Sequence, residues 1–136
     1  MNYLAIIVAA VVNVAVGAMW YSPILFAKPW SKAIGIKAED FMKNNKGMSA
    51  RMYLPPLIAG LVSAYVLAWF INALNITTLT GGLGIGFLGW LGFTTTAQIL
   101  NSWAFSNGRP KELYFINTGY HLVIFCIMGA ILGAWR

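Results

Sequence analysis

Apolar residues in this chain run in four long blocks, residues 3–21, 54–74, 80–102 and 113–135, with polar stretches between them. About 20 mostly apolar residues are needed to cross a hydrocarbon core about 30 Å thick, and each block is long enough. Backbone groups find no water inside a bilayer, so each block is predicted to be a helix. The apolar/polar alternation of a barrel strand is absent. Asn13 is the only strongly polar residue before the end of the first block. Pro55-Pro56 opens the second, which suits the first turn of a helix, where a missing N–H leaves nothing unpaired. The third block is rich in glycine and threonine, and the fourth ends on Trp135-Arg136. Val16-Gly17-Ala18 resembles a signal cleavage site, but no basic region precedes it, and the first block is read as a retained span. The expected architecture is therefore all-α. It is a single-domain, four-helix integral membrane bundle, with a short interfacial helical segment between helices one and two.

That segment begins where the first block stops, at Gly17-Ala18-Met19-Trp20-Tyr21-Ser22-Pro23. Amphipathic rings favour the membrane interface, which places Trp20 and Tyr21 there. Pro23 disfavours helix at Ser22 and ends the first span. Beyond it Ile24, Leu25, Phe26, Trp30 and Ile34 alternate irregularly with Lys28 and Lys32. Such a pattern suits a segment lying in the interface, its lysines turned toward anionic headgroups. Residues 37–43 form a second short helical candidate before the polar turn Asn44-Asn45-Lys46-Gly47. The alternative is a segment that binds a ligand or a partner.

Charge adds orientation. Of 136 residues 60% are hydrophobic and only 9% charged, against roughly one quarter charged in a soluble domain. The net charge of +6 is confined to loops and makes no nucleic-acid-binding face. Lys28, Lys32, Lys37, Lys43, Lys46 and Arg51 lie between spans one and two, and Arg109 and Lys111 between three and four; Arg136 alone lies on the other side. This positive-inside asymmetry puts the basic loops in the cytoplasm and both termini outside, in a plasma (inner) membrane. Asn75-Ile76-Thr77 on the outer turn has the spacing of a glycosylation sequon, read as incidental so close to the membrane. Cys126 is a lone cysteine inside an apolar run, without disulfide partner or zinc spacing.

Helices in lipid associate through small residues and interhelical hydrogen bonds. Span one offers Ala5, Ala9, Asn13 and Gly17 four residues apart. Span two offers Gly60, Ala64, Ala68 and Asn72 at the same spacing. Gly82 and Gly86 start a stripe in span three that continues to Gly89, and span four carries Gly129 and Gly133. A four-span chain of this size has little interior of its own, so a homo-oligomer or membership of a larger membrane complex is expected.

Polar residues inside spans mark candidate sites. Asn117 and His121 lie one helical turn apart on span four. Thr94, Gln98 and Asn101 share a face of span three. The expected topology brings Gln98, Asn101, Asn117 and His121 to matching depth in the cytoplasmic half. Trp20 and Tyr21 border that layer, and Asn13 lies deeper. The bland alternative is that these groups only bond helix to helix. No Asp or Glu lies within a span, so the carboxylate mechanism of small proton-coupled exporters lacks its central group. His121 is the one side chain in the spans that titrates near neutral pH. No cofactor is expected; the alternative is a haem or pigment held through His121, since one histidine can ligate one face of such a ring. No Ser-His-Asp set, metal cluster or phosphate loop is present, and the chain is read as a non-enzyme.

Gly-x-x-Trp-Tyr-Ser-Pro-x-x-Phe-x-Lys-Pro-Trp at residues 17–30 resembles the signature of a family of small membrane proteins, domain of unknown function 1761. Gly119-Tyr120-His121, with the following Met128-Gly129-Ala130, resembles that family's C-terminal end. The resemblance implies a four-helix integral membrane fold and no particular activity. Two functional expectations remain open. One is a small unit that binds or transports a neutral or anionic solute through the cytoplasmic-side cluster. The other is an accessory or structural subunit, with anionic lipid contact through the basic loop as a lesser variant.

Overall fold

In the computed structural model residues 1–35 and 50–135 are described, residues 50–52 by their backbone alone. The helix and turn expected over residues 37–47 lie outside the described residues, as do the side chains of Lys37, Lys43, Lys46, Arg51 and Arg136. The fold is all-α, and no strand forms among the described residues. In chain order the helices are α1 (Tyr3–Trp20), α2 (Ala27–Ile34), α3 (Ala50–Ala73), α4 (Leu79–Gly89), α5 (Thr95–Phe105) and α6 (Pro110–Ala134). A π-helical turn, Trp90–Thr94, joins α4 to α5 without a break. Four helical units are long and apolar enough to cross a membrane: Tyr3–Trp20, Tyr53–Ala73, Leu79–Phe105 and Pro110–Ala134.

Local chemistry sets the ends of these helices. Asn2 caps α1 by accepting from the Ala5 N–H at 3.2 Å, a donor with no helical partner. The Tyr21 N–H bonds the Gly17 carbonyl and the Ser22 N–H that of Met19, closing the helix just before Pro23. At the end of α3, Asn75 takes a left-handed φ of 54°, which asparagine tolerates better than most residues. The Ile76 N–H then reaches back to the Ile71 carbonyl and the Asn75 N–H to that of Asn72, closing the helix as a Schellman motif. Thr78 caps α4 on the Gly81 N–H. One expectation changes. Helix α3 starts at Ala50, so Pro55 and Pro56 lie inside it and not in its first turn. There the rings remove the N–H groups that would reach back to the carbonyls of residues 51 and 52.

Helices α1, α3 and α6 pack as a three-helix core around Ala5, Ala9, Ala64, Ala68, Ile71 and Met128. The alanines bring backbones close where no larger side chain separates them. The second contact is α4 on α6. A Cβ added to Gly82 would fall on the Gly129 carbonyl oxygen, one on Gly86 on that of Phe125, and one on Gly133 on that of Thr78. Only bare backbones fit at this spacing. Helix α2 buries Ala27, Ser31 and Ala33 and leaves Lys28 and Lys32 exposed. Its end is tied to the α5–α6 turn, where the Asn107 N–H donates to the Ala33 carbonyl at 2.8 Å. With Arg109 and Lys111, these lysines define the basic end of the bundle. The outer surface is covered by Leu, Ile, Val and Phe side chains, an extent of apolar exposure foreign to a water-soluble monomer.

The glycine seam gives the first prediction. Gly82→Leu forces α4 off α6 and should lower stability by about 3 kcal/mol. Gly84→Leu, on the open face of the same helix, should change it by less than about 0.5 kcal/mol. Unfolding of the purified protein by detergent titration separates the two, and equal effects would mean that the seam does not hold α4.

Candidate functional site

The two stretches that carry the family resemblance meet in space. Gly17 lies against the Tyr120 hydroxyl and Gly119 against the Trp20 ring, with no room for a larger side chain at either without movement. Around these glycines the aromatics of α1 and α6 pack edge to face. The Tyr21 ring is 5.5 Å from Tyr120 and 5.4 Å from Trp30, and Tyr120 is 4.9 Å from His121. Trp20 tilts against Phe26 at 4.7 Å. The rings of Trp20 and Tyr21 are therefore turned inward onto α6, a refinement of the interfacial position expected for them. Each has a polar reason. Trp20 Nε1 donates to the Ile116 carbonyl at 3.0 Å, and the Tyr21 hydroxyl donates to Asn117 Oδ1 at 2.7 Å.

Asn13 makes a second knot deeper in the bundle. Its Oδ1 accepts from the Tyr120 hydroxyl at 2.8 Å, and its Nδ2 donates to the Pro56 carbonyl at 3.1 Å. Asn13 is only 5% exposed, so its satisfied amide avoids the cost of burying an unpaired polar group. Gly60 lies where a side chain would strike the Asn13 amide. That absence lets α1 bond the backbone of α3.

His121 points its Nδ1 at the Asn117 carbonyl, 2.7 Å away. A carbonyl only accepts, so Nδ1 carries the hydrogen and Nε2 of the neutral ring offers a lone pair. Among the described residues Nε2 has no hydrogen-bond partner. The His121 side chain lines a cavity of about 460 Å³ together with Tyr21, Trp30, Gln98, Asn117 and Tyr120, among others. Of the expected site residues, Tyr21, Gln98, Asn117 and His121 share this cavity. Asn13, bonded to Tyr120, and Trp20, bonded to the Ile116 carbonyl, are not among its lining residues. Asn101 is exposed at its rim, its Nδ2 donating to Gln98 Oε1 at 3.1 Å. That bond leaves the Gln98 Nε2 hydrogens uncommitted, as Tyr21 leaves those of Asn117 Nδ2.

Tyr120, Pro56, Tyr53, Val14 and Ala18 also line the cavity and are not among the sequence candidates. Tyr120 stood in the Gly119-Tyr120-His121 motif, and its place one residue before His121 was the available signal. Trp30 was assigned to the interface, yet α2 folds it back over the cavity. Pro56 contributes through its position inside α3, where the sequence reading sees a helix start and no site. Among the described residues, no three His, Cys, Asp or Glu side chains converge as a metal site requires. His121 Nε2 is the one imidazole nitrogen available to a haem or pigment.

Gln98 reaches the cavity because of the π turn. The Thr95 N–H bonds the Trp90 carbonyl five residues back, which places one extra residue in that turn. Trp90 anchors the turn, its Nε1 donating to the Thr118 carbonyl of α6 at 2.8 Å.

In comparison with known proteins, the chain matches over residues 4–133 the model of a family described as protein of unknown function (DUF1761). No curated protein and no solved structure matches it.

A double-mutant cycle tests the deeper knot. Tyr120→Phe alone should cost about 1 kcal/mol of stability, within the usual range for a hydrogen bond between membrane helices. On an Asn13→Ala background the same change should cost little. Additive losses in a detergent unfolding titration would show that the two groups are not coupled.

Proposed function

The chain belongs to the DUF1761 family, whose description carries no activity, and from the site itself we propose that it binds a small neutral or anionic solute. In this reading it is a multi-pass membrane protein with its basic end in the cytoplasm. The ligand enters the cavity beside Tyr21, Asn117, Gln98 and His121, and passage across the membrane is the extension of that binding. The observation that carries the reading is the roomy cavity at His121, with Nε2 left without a partner. Packing glue is built the other way, with polar groups consumed by one another, as Asn13 and Tyr120 are. Two amide N–H₂ groups and an imidazole lone pair facing one space are a recognition set.

A second reading, an accessory subunit of a larger membrane assembly, is favoured by one feature. The α4–α5 unit packs chiefly on α6 and leaves Leu88, Leu91, Phe93, Leu100 and Trp103 exposed. These side chains offer a partner helix a broad surface.

Native mass spectrometry of the protein, gently extracted from its own membranes, tests the proposal. The expected result is a reproducible small-molecule adduct, reduced at least tenfold in His121→Ala and retained in Gly84→Ala. Both variants should keep the wild-type helical signal. Recovery only within a heteromeric complex, or no adduct at all, would overturn the binding reading, and the first of these would establish the accessory role.

A further inference from the structure

The polar cavity has an apolar neighbour along the same three helical units. Farther from the basic end, α3, the α4–α5 unit and α6 border an open apolar cleft of about 430 Å³, lined by Val66, Leu67, Phe70, Leu88, Phe93 and Phe125 among others. The two spaces share three walls, α3, the α4–α5 unit and α6, while α1 and α2 line the polar one alone. On α3 the lining runs from Pro56 to the stretch Val62–Leu74, and on the α4–α5 unit from Gln98 to Phe93 and Ile85. Asn117, His121 and Phe125 follow at intervals of four along α6, one face of the helix. That face forms the common floor. From Val62 to Leu74 the cleft is about 18 Å long at about 1.5 Å per residue. Half of a hydrocarbon core is about 15 Å.

From this combination we infer that the ligand is a single-chain carboxylic acid of the fatty-acid class. Its carboxyl head is seated between His121, Asn117 and Gln98, and its chain lies in the apolar cleft. The inference rests on the binding reading above and gives it a ligand class. The inventory of groups selects the head. His121 Nε2 accepts, and the free amide hydrogens of Asn117 and Gln98 donate. A protonated carboxyl supplies the complement, with its O–H given to the imidazole and its carbonyl oxygen receiving an amide N–H. Among the described residues no Lys or Arg lines the cavity, so these offer a phosphate head none of the cations that usually hold it. Depth argues the same way. Residues 117 to 121 lie about 10 to 16 Å along α6 from Pro110, where a permanently charged head would lose its hydration with no return. A carboxyl group escapes this by keeping its proton or passing it to His121. The floor of α6 and two walls accommodate one chain along their length.

Photolabelling of the full chain in phosphatidylcholine vesicles tests the inference. The probe is palmitic acid with a diazirine near its chain end, and a phosphatidylcholine bearing the same tagged chain is the comparison. The acid should label residues 62–74 and 85–93 at least tenfold more than the phospholipid, and unlabelled palmitic acid should compete it away. His121→Leu should reduce labelling at least tenfold by removing the acceptor. Gly89→Leu should do the same by filling the cleft. A Cβ at position 89 meets only the Phe125 ring, at ordinary contact distance, so this variant is expected to fold. Equal labelling by both probes, or labelling indifferent to both variants, overturns the inference. If native mass spectrometry then still finds a His121-dependent adduct that is not a carboxylic acid, the binding reading stands and the ligand class falls. Absence of both adduct and labelling removes the two together.

Discussion

One buried amide ties the bundle together. Asn13 accepts from Tyr120 of α6 with its oxygen and donates to the Pro56 carbonyl of α3 with its nitrogen, so a single side chain joins three helices. Apolar helices in lipid have no hydrophobic reason to prefer one another, and such a bond fixes both choice of neighbour and vertical register. Gly60 and Gly17 make it possible by standing aside for the Asn13 amide and the Tyr120 ring. With Asn13 level with Tyr120, the chain two turns farther along α1 falls beside Ile116 and Asn117. Trp20 and Tyr21 meet their partners there because the register has already been set.

The same stretch of α6 receives bonds from three sides. The consecutive carbonyls of Ile116, Asn117 and Thr118 accept from Trp20, His121 and Trp90 respectively. Helical carbonyls retain a second lone pair after their backbone bond, and these three use it. The indoles thus hold α1 and the π turn on opposite flanks of one turn of α6, and the imidazole is oriented between them. Farther along, the glycine seam holds α4 tightly on α6. Helix α4 is committed to that contact and leaves α3 standing off. The cleft between α3 and the α4–α5 unit follows from this commitment.

Some of this could be read from the chain and some could not, for definable reasons. Span length and polarity are properties of contiguous residues, and the helical units near 3–21, 54–74, 80–102 and 113–135 follow from them. The pattern of Ala5, Ala9 and Asn13 is likewise local and shows one face of one helix. Partners are not local. Asn13 and Tyr120 are 107 positions apart, and nothing in either neighbourhood names the other. Trp20 and Tyr21 look like interfacial anchors because they share the residue types and position of anchors. Gly119 opposite the Trp20 ring, and the Asn117 amide that accepts from the Tyr21 hydroxyl, convert them to packed groups. Asn101 shows the limit of facing arguments, since it shares a helix face with Gln98 yet ends at the rim.

The π turn is the clearest case of a feature hidden from sequence and needed by the site. A helix advances about 100° per residue. On that count Gly82, Gly86, Gly89 and Phe93 fall within about 60° of one another on the face toward α6 and the cleft. An unbroken α-helix would carry Gln98 about 120° away from Gly86, out toward lipid, and would put Ala97 near the face instead. The additional residue of the Trp90–Thr94 turn sets the count back by about 100°, which returns Gln98 to within about 20° of Gly86. No proline marks the place, and the π turn carries a glycine at 92 followed by Thr94, Thr95 and Thr96. Two of the threonine hydroxyls turn back onto the helix, Thr95 to the Leu91 carbonyl and Thr96 to those of Gly92 and Phe93. These bonds add side-chain donors to three consecutive carbonyls of the π turn. The result of the insertion is a glutamine of α5 and a histidine of α6 lining one cavity.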